Sequence, residues 1–139
     1  MNTIATRAPT SSLTPTEMAA TGGRLLLAAI FLLSGWSKLA DPAGTLGYIQ
    51  SVGLPFAHVG VALAIAVELI GGALLVIGYR TKLAAAALAL FTIAAAIFFH
   101  AALGDQNQFI HFFKNVAITG GLLQVIAFGA GRLSLDGRA

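Results

Sequence analysis

Few residues in this 139-residue chain are equipped for chemistry, and those few sit in apolar surroundings. Glu68 is the one charge in "VALAIAVELIGGALLVIGY", and Lys114 and Asn115 stand side by side in "FIHFFKNVAITGGLL". Arg24 and Lys38 bracket thirteen uncharged residues, and His100 closes "FFH". A charge left unpaired in hydrocarbon costs several kcal/mol, so these groups must find each other or a ligand. A carboxylate beside an ammonium is a proton-active pair. An ammonium and a carboxamide donate hydrogen bonds, most strongly to an oxygen that carries negative charge. Together they suit proton exchange and the binding of a polar ligand. Glu68 is the candidate proton-exchanging group; Lys114, Asn115, His100, Arg24, Lys38 and Trp36 are the candidate ligand-binding residues. The alternative use of such a pair is to set helix register without chemistry.

The elements that must carry these residues are membrane spans. Apolar residues make up 58% of the chain and charged ones 9%, against roughly 25% charged in a soluble domain. Apolar stretches of about 20 residues predict spans over about 18–39, 59–79, 83–103 and 106–130, forming one all-α, four-helix membrane domain. Asp41 as N-cap and Pro42 at the first helical position predict a short interfacial helix between spans one and two, closed by Gly53 and Pro55. Asp105 with Gln108 three residues on resembles a capping box for the last span. Residues 1–17, rich in Ser, Thr and Pro, read as a disordered tail, and 131–139 as a polar one. The uncharged stretch inside the first span also has the length of a signal-peptide core, but "SKLADP" is a poor cleavage site.

Arg7, Arg24, Arg80, Lys82, Arg132 and Arg138 fall on one side of these spans and only Lys38 and Lys114 on the other, which predicts cytoplasmic termini. Glu68 and Lys114 each lie about nine residues, roughly 14 Å, from the outer end of their helices, so equal depth predicts that they meet. Arg24, Ala28, Phe31, Gly35 and Lys38 share one helical face, which should turn inward. Gly71, Gly72, Gly120 and Gly121 predict close backbone approach in the inner half and a wider outer half.

A net charge of +3 without an Arg/Lys cluster argues against nucleic acid. The absence of cysteine excludes disulfide exchange, thiolate catalysis, iron-sulfur clusters and Cys-ligated zinc. His58, His100 and His111 lie on the outer side, but none sits inside a span facing another, so a bis-histidine haem is not expected.

The order of "GWSKLADP", "GLP", "VELIGGALLVIGYRTKLAA", "FFH" and "FFKNVAITGGLL" resembles the DoxX family of small bacterial and archaeal membrane proteins. The resemblance implies a four-helix membrane bundle and an association with quinone-linked oxidoreductases. It places the family's Arg, Glu, His and Lys-Asn positions on Arg24, Glu68, His100, Lys114 and Asn115. "FFHAALG" lacks the aromatic residue that often follows the His in similar proteins. The function so implied is a quinone-interacting subunit of a redox complex in the bacterial inner membrane. Lipids surround it, and a redox partner protein or a second copy of the chain completes it. A non-catalytic scaffold, or a small-solute pathway, is the alternative that the residues leave open.

Overall fold

The computed structural model describes residues 12–138, and all regular structure among them is helical. The helices are α1 (Pro15–Ala40), α2 (Pro42–Ser51), α3 (Ala57–Ile77), α4 (Thr81–Phe99) and α5 (Gln106–Phe128). α1, α3, α4 and α5 are each long and apolar enough to cross a membrane. The protein is a four-helix membrane bundle with one short accessory helix. The expected tail over residues 1–17 lies largely outside the described residues.

Local chemistry explains each boundary. α1 starts at Pro15, earlier than hydropathy suggests, because Thr14 and Glu17 form a capping box: Glu17 N donates to Thr14 Oγ1 at 3.2 Å and Thr14 N to Glu17 Oε2 at 2.8 Å. Asp41 both ends α1 and starts α2. Its N–H donates to Ser37 O at 3.1 Å, while its carboxylate accepts from Gly44 N at 2.9 Å and Pro42 takes the first helical position, where a missing N–H costs nothing. α2 buries Ile49 against Ala57 and Val61 of α3. α4 stops at Phe99, short of the expected 103, and His100 follows as its C-cap. Asp105 caps α5 by accepting from Gln108 N at 2.9 Å, but the Gln108 side chain turns to His100 instead of back to the cap, leaving half of the predicted capping box.

The spans form a ring. α1 packs on α3, α3 on α4 and α4 on α5, with only a light closing contact between α5 and α1. Ala28, Leu75, Ala85, Leu88 and Leu122 fill the half of the bundle near the termini. Glycines set how close the helices come there: a Cβ on Gly71 would stand 2.9 Å from Leu88, and one on Gly72 2.9 Å from Leu32.

The segment after Phe128, which includes the polar tail, docks on the turn between α3 and α4. Leu135 N donates to Ile77 O at 3.1 Å and Asp136 N to Gly78 O at 2.8 Å. The Asp136 carboxylate then accepts from Arg80 N and Thr81 N, each at 2.8 Å, capping α4 from across the chain. These amides are orphan donors of a helix start, and the positive end of the α4 dipole favours the charge they receive. That holds the Asp136 carboxyl below its usual value, chiefly through the Thr81 amide, with the Arg80 amide and the Arg24 guanidinium adding to the effect.

Candidate functional site

The half of the bundle near α2 is hollow. A cavity of about 550 Å3 opens there, with walls from all five helices. Most of its surface is apolar, from residues such as Phe31, Ile49, Phe91, Phe98 and Ile118. Its polar edges are Ser34 and Lys38 of α1, Glu68 of α3, and Lys114 and Asn115 of α5, together with His100 and His111.

Glu68 lies halfway along α3 and is buried because Gly35 of α1 admits it: a Cβ on Gly35 would stand 3.1 Å from Glu68 Cβ and 2.8 Å from Leu69 Cγ. Lys38 sits nearly a turn further along α1, and helical side chains lean toward their own N-terminus, so its stem runs down to the carboxylate. Lys38 Nζ donates to Glu68 Oε2 at 2.8 Å and Oε1 at 3.1 Å, and to Ser34 Oγ at 2.6 Å; Ser34 Oγ in turn donates to Glu68 Oε1 at 3.1 Å. The carboxylate therefore carries three charge-strengthened hydrogen bonds from one turn of α1.

The expected meeting of Glu68 with Lys114 does not occur. Similar distance from the helix ends does not bring them together, because α3 and α5 stand diagonally across the ring and do not pack on each other. Glu68 takes its cation from the adjacent α1. Lys114 donates instead to His111 Nδ1 at 2.9 Å, one turn back along α5. The His111 ring stacks on that of His100 at 5.1 Å between centroids, and His100 Nδ1 shares a 2.8 Å hydrogen bond with Gln108 Oε1. Asn115 lines the cavity, and its carboxamide has no hydrogen-bond partner among the described residues.

Two expected binding residues fall elsewhere. Trp36 is 65% exposed on the outer flank of α1 and is absent from the cavity wall, because its position in the helical repeat points away from Gly35 and Lys38. Arg24 does share the inward face of Lys38, yet it lies below the cavity floor. Its Nη1 donates to the carbonyls of Leu75 and Val76, the latter at 2.8 Å, and its Nη2 to Leu133 O at 2.7 Å. It clamps the end of α3 and the C-terminal segment together. Ser34 and His111 belong to the polar network, whereas from sequence Ser34 has no role and His111 is considered only as a haem ligand. The available signal was helical spacing: Ser34 precedes Lys38 by four residues and His111 precedes Lys114 by three.

The electrostatic balance is simple. Lys38 and Glu68 offset each other, whereas Lys114 has no carboxylate partner among the described residues. The largely apolar cavity thus keeps one uncompensated positive charge at its exposed edge, on Lys114. Such a site orients a polar head and shelters an apolar body.

Four apolar spans around an amphipathic cavity define a small integral membrane protein with a ligand-sized polar centre. The DoxX family pattern matches residues 19–101, more than half of the chain, and the chain belongs to the DoxX family. The match ends before α5, so Lys114 and Asn115 lie beyond it. The chain is 33% identical over 113 residues to "Inner membrane protein YqjF" of Escherichia coli (strain K12), covering 81% of this chain and 85% of that protein. It is 31% identical over 120 residues to "Inner membrane protein YphA" of the same organism, covering 83% of this chain and 86% of the relative. No solved structure matches it.

Proposed function

We propose that the chain is a quinone-interacting subunit of a membrane redox complex, lying in an inner membrane as its named relatives do, with both termini cytoplasmic. The observation that carries this reading is the meeting of Lys114, Asn115 and His100 with the Lys38–Glu68 pair in one largely apolar cavity. A quinone ring has apolar faces and two carbonyl oxygens, and so calls for apolar walls with a few convergent donors. Lys114 and Asn115 supply donors for one carbonyl. Reduction to the quinol takes two electrons and two protons. A partner redox protein supplies the electrons, and Glu68 passes the protons one at a time, taking each from water. Lys38 and Ser34 steady the carboxylate after each transfer. Charged donors bind an oxygen better as it gains negative charge than as a neutral carbonyl, which is the differential binding that catalysis needs.

The test is to purify the chain in mild detergent, extract it for quinone by mass spectrometry, and assay quinol-linked turnover in membranes. Wild type should carry stoichiometric quinone, and Lys114→Ala should lose it while staying helical by circular dichroism. Glu68→Gln should lower turnover by about 10²-fold or more, the usual scale of a lost proton-transfer group, with assembly intact. A quinone-free wild type, or full turnover in Glu68→Gln, overturns the proposal.

A further inference from the structure

The ring of helices has one weak seam. α1 and α5 approach each other in the half near the termini, where a Cβ on Gly121 would stand 3.2 Å from Leu27 Cδ2. Further toward α2 both helices line the cavity, with Ile30, Ser34 and Lys38 among the α1 residues and Ile118, Lys114 and His111 among those of α5. No hydrogen bond or ion pair joins α1 to α5 among the described residues. Ile30 and Lys114 are exposed. Their helices cross the membrane, so this flank meets lipid, and a gap between them would lead sideways into the bilayer. Its margin is apolar at Ile30 and Ile118 and cationic at Lys114, whose charge no carboxylate among the described residues answers. A flexible apolar chain fits the lower part of such a gap, and an oxygen bearing negative charge fits the upper.

We infer that the cavity is loaded from the bilayer through a slot between α1 and α5. The entrant is a single-tailed amphiphile whose head oxygen is held by Lys114 and whose tail lies between Ile30 and Ile118. Where the head is a quinone ring this rests on the reading given above; a fatty acid offers the same pairing of acceptor oxygen and tail, and the experiment separates the two.

The full chain is reconstituted in phosphatidylcholine vesicles containing a fatty acid with a mid-chain diazirine, photolysed, and its adducts mapped by mass spectrometry. Adducts should fall on the buried cavity residues Phe31 and Thr92 as well as on the outward-facing Leu26 and Leu33. Lys114→Gln should reduce the cavity adducts about tenfold, the scale of one charge-assisted hydrogen bond, and leave the outward ones unchanged. Adducts confined to Leu26 and Leu33 overturn the slot. Cavity adducts indifferent to Lys114→Gln overturn the assignment of the head group. A decyl-tailed quinone added in excess should abolish the cavity adducts; if they persist undiminished, the slot stands and the quinone reading fails.

Discussion

The pairing of Glu68 with Lys38, and not with Lys114, is open to a double-mutant cycle. At the observed 2.8 Å, Coulomb attraction at an effective dielectric constant of 20 is about 6 kcal/mol. The Lys38 side chain is 27% exposed against 6% for Glu68, so water and headgroups screen part of this, and holding a long side chain in place costs rotamer entropy. A coupling energy of about 2–4 kcal/mol remains, near the cost of breaking a buried pair. The single variants should differ. Lys38→Met strands a buried carboxylate with only Ser34 left to donate to it, whereas Glu68→Gln leaves a lysine that can turn outward and keeps hydrogen-bonding capacity for Ser34. Lys38→Met should therefore be the more damaging, and the double variant better than the sum of the two. Reversible unfolding in mixed micelles, titrated with denaturing detergent, measures all four corners. The same cycle on Glu68 and Lys114 should be additive within about 0.5 kcal/mol, as for residues without direct contact. Strong coupling of Glu68 to Lys114, or none to Lys38, would refute the geometry on which the site is built.

Two other predictions concern the clamp at the termini. Arg24→Lys keeps the charge but loses the fork that reaches α3 and Leu133 together; the lost charged hydrogen bond should cost about 1.5–3 kcal/mol and speed tryptic cleavage after Arg132, and an unchanged cleavage rate would remove the clamp. Asp136 has its carboxyl held below the usual value in the folded chain, so its contribution to stability is whole above the ordinary carboxylate range and is lost as pH falls through that range and below it. Asp136→Asn should accordingly melt below wild type at neutral pH, with the gap closing in acid; a gap independent of pH would show that the charge at the α4 start contributes nothing.

Much of the architecture was legible because the membrane imposes it. A backbone in hydrocarbon must satisfy its own hydrogen bonds, so apolar runs of span length can only be helices, and Asp41, Pro42 and Asp105 announce their starts through local capping chemistry. The inward face carrying Arg24 and Lys38 followed from helical periodicity alone. The docking of residues 133–136 was not legible, since its partners are carbonyls and amides of a distant hairpin that leave no pattern in side-chain type.

The sequence by itself determined that this is a helical membrane protein and where along its spans the charged residues fall, since span length and a fixed rise per residue leave little freedom. Only the tertiary structure decided which of those charges meet. Depth is one coordinate, and the order of helices around the ring is another that no linear spacing encodes. By setting α1 beside α3 and α5 across the ring from it, packing joined Lys38 to Glu68, sent Arg24 to a clamp below the cavity, and left Lys114 at a seam facing the bilayer.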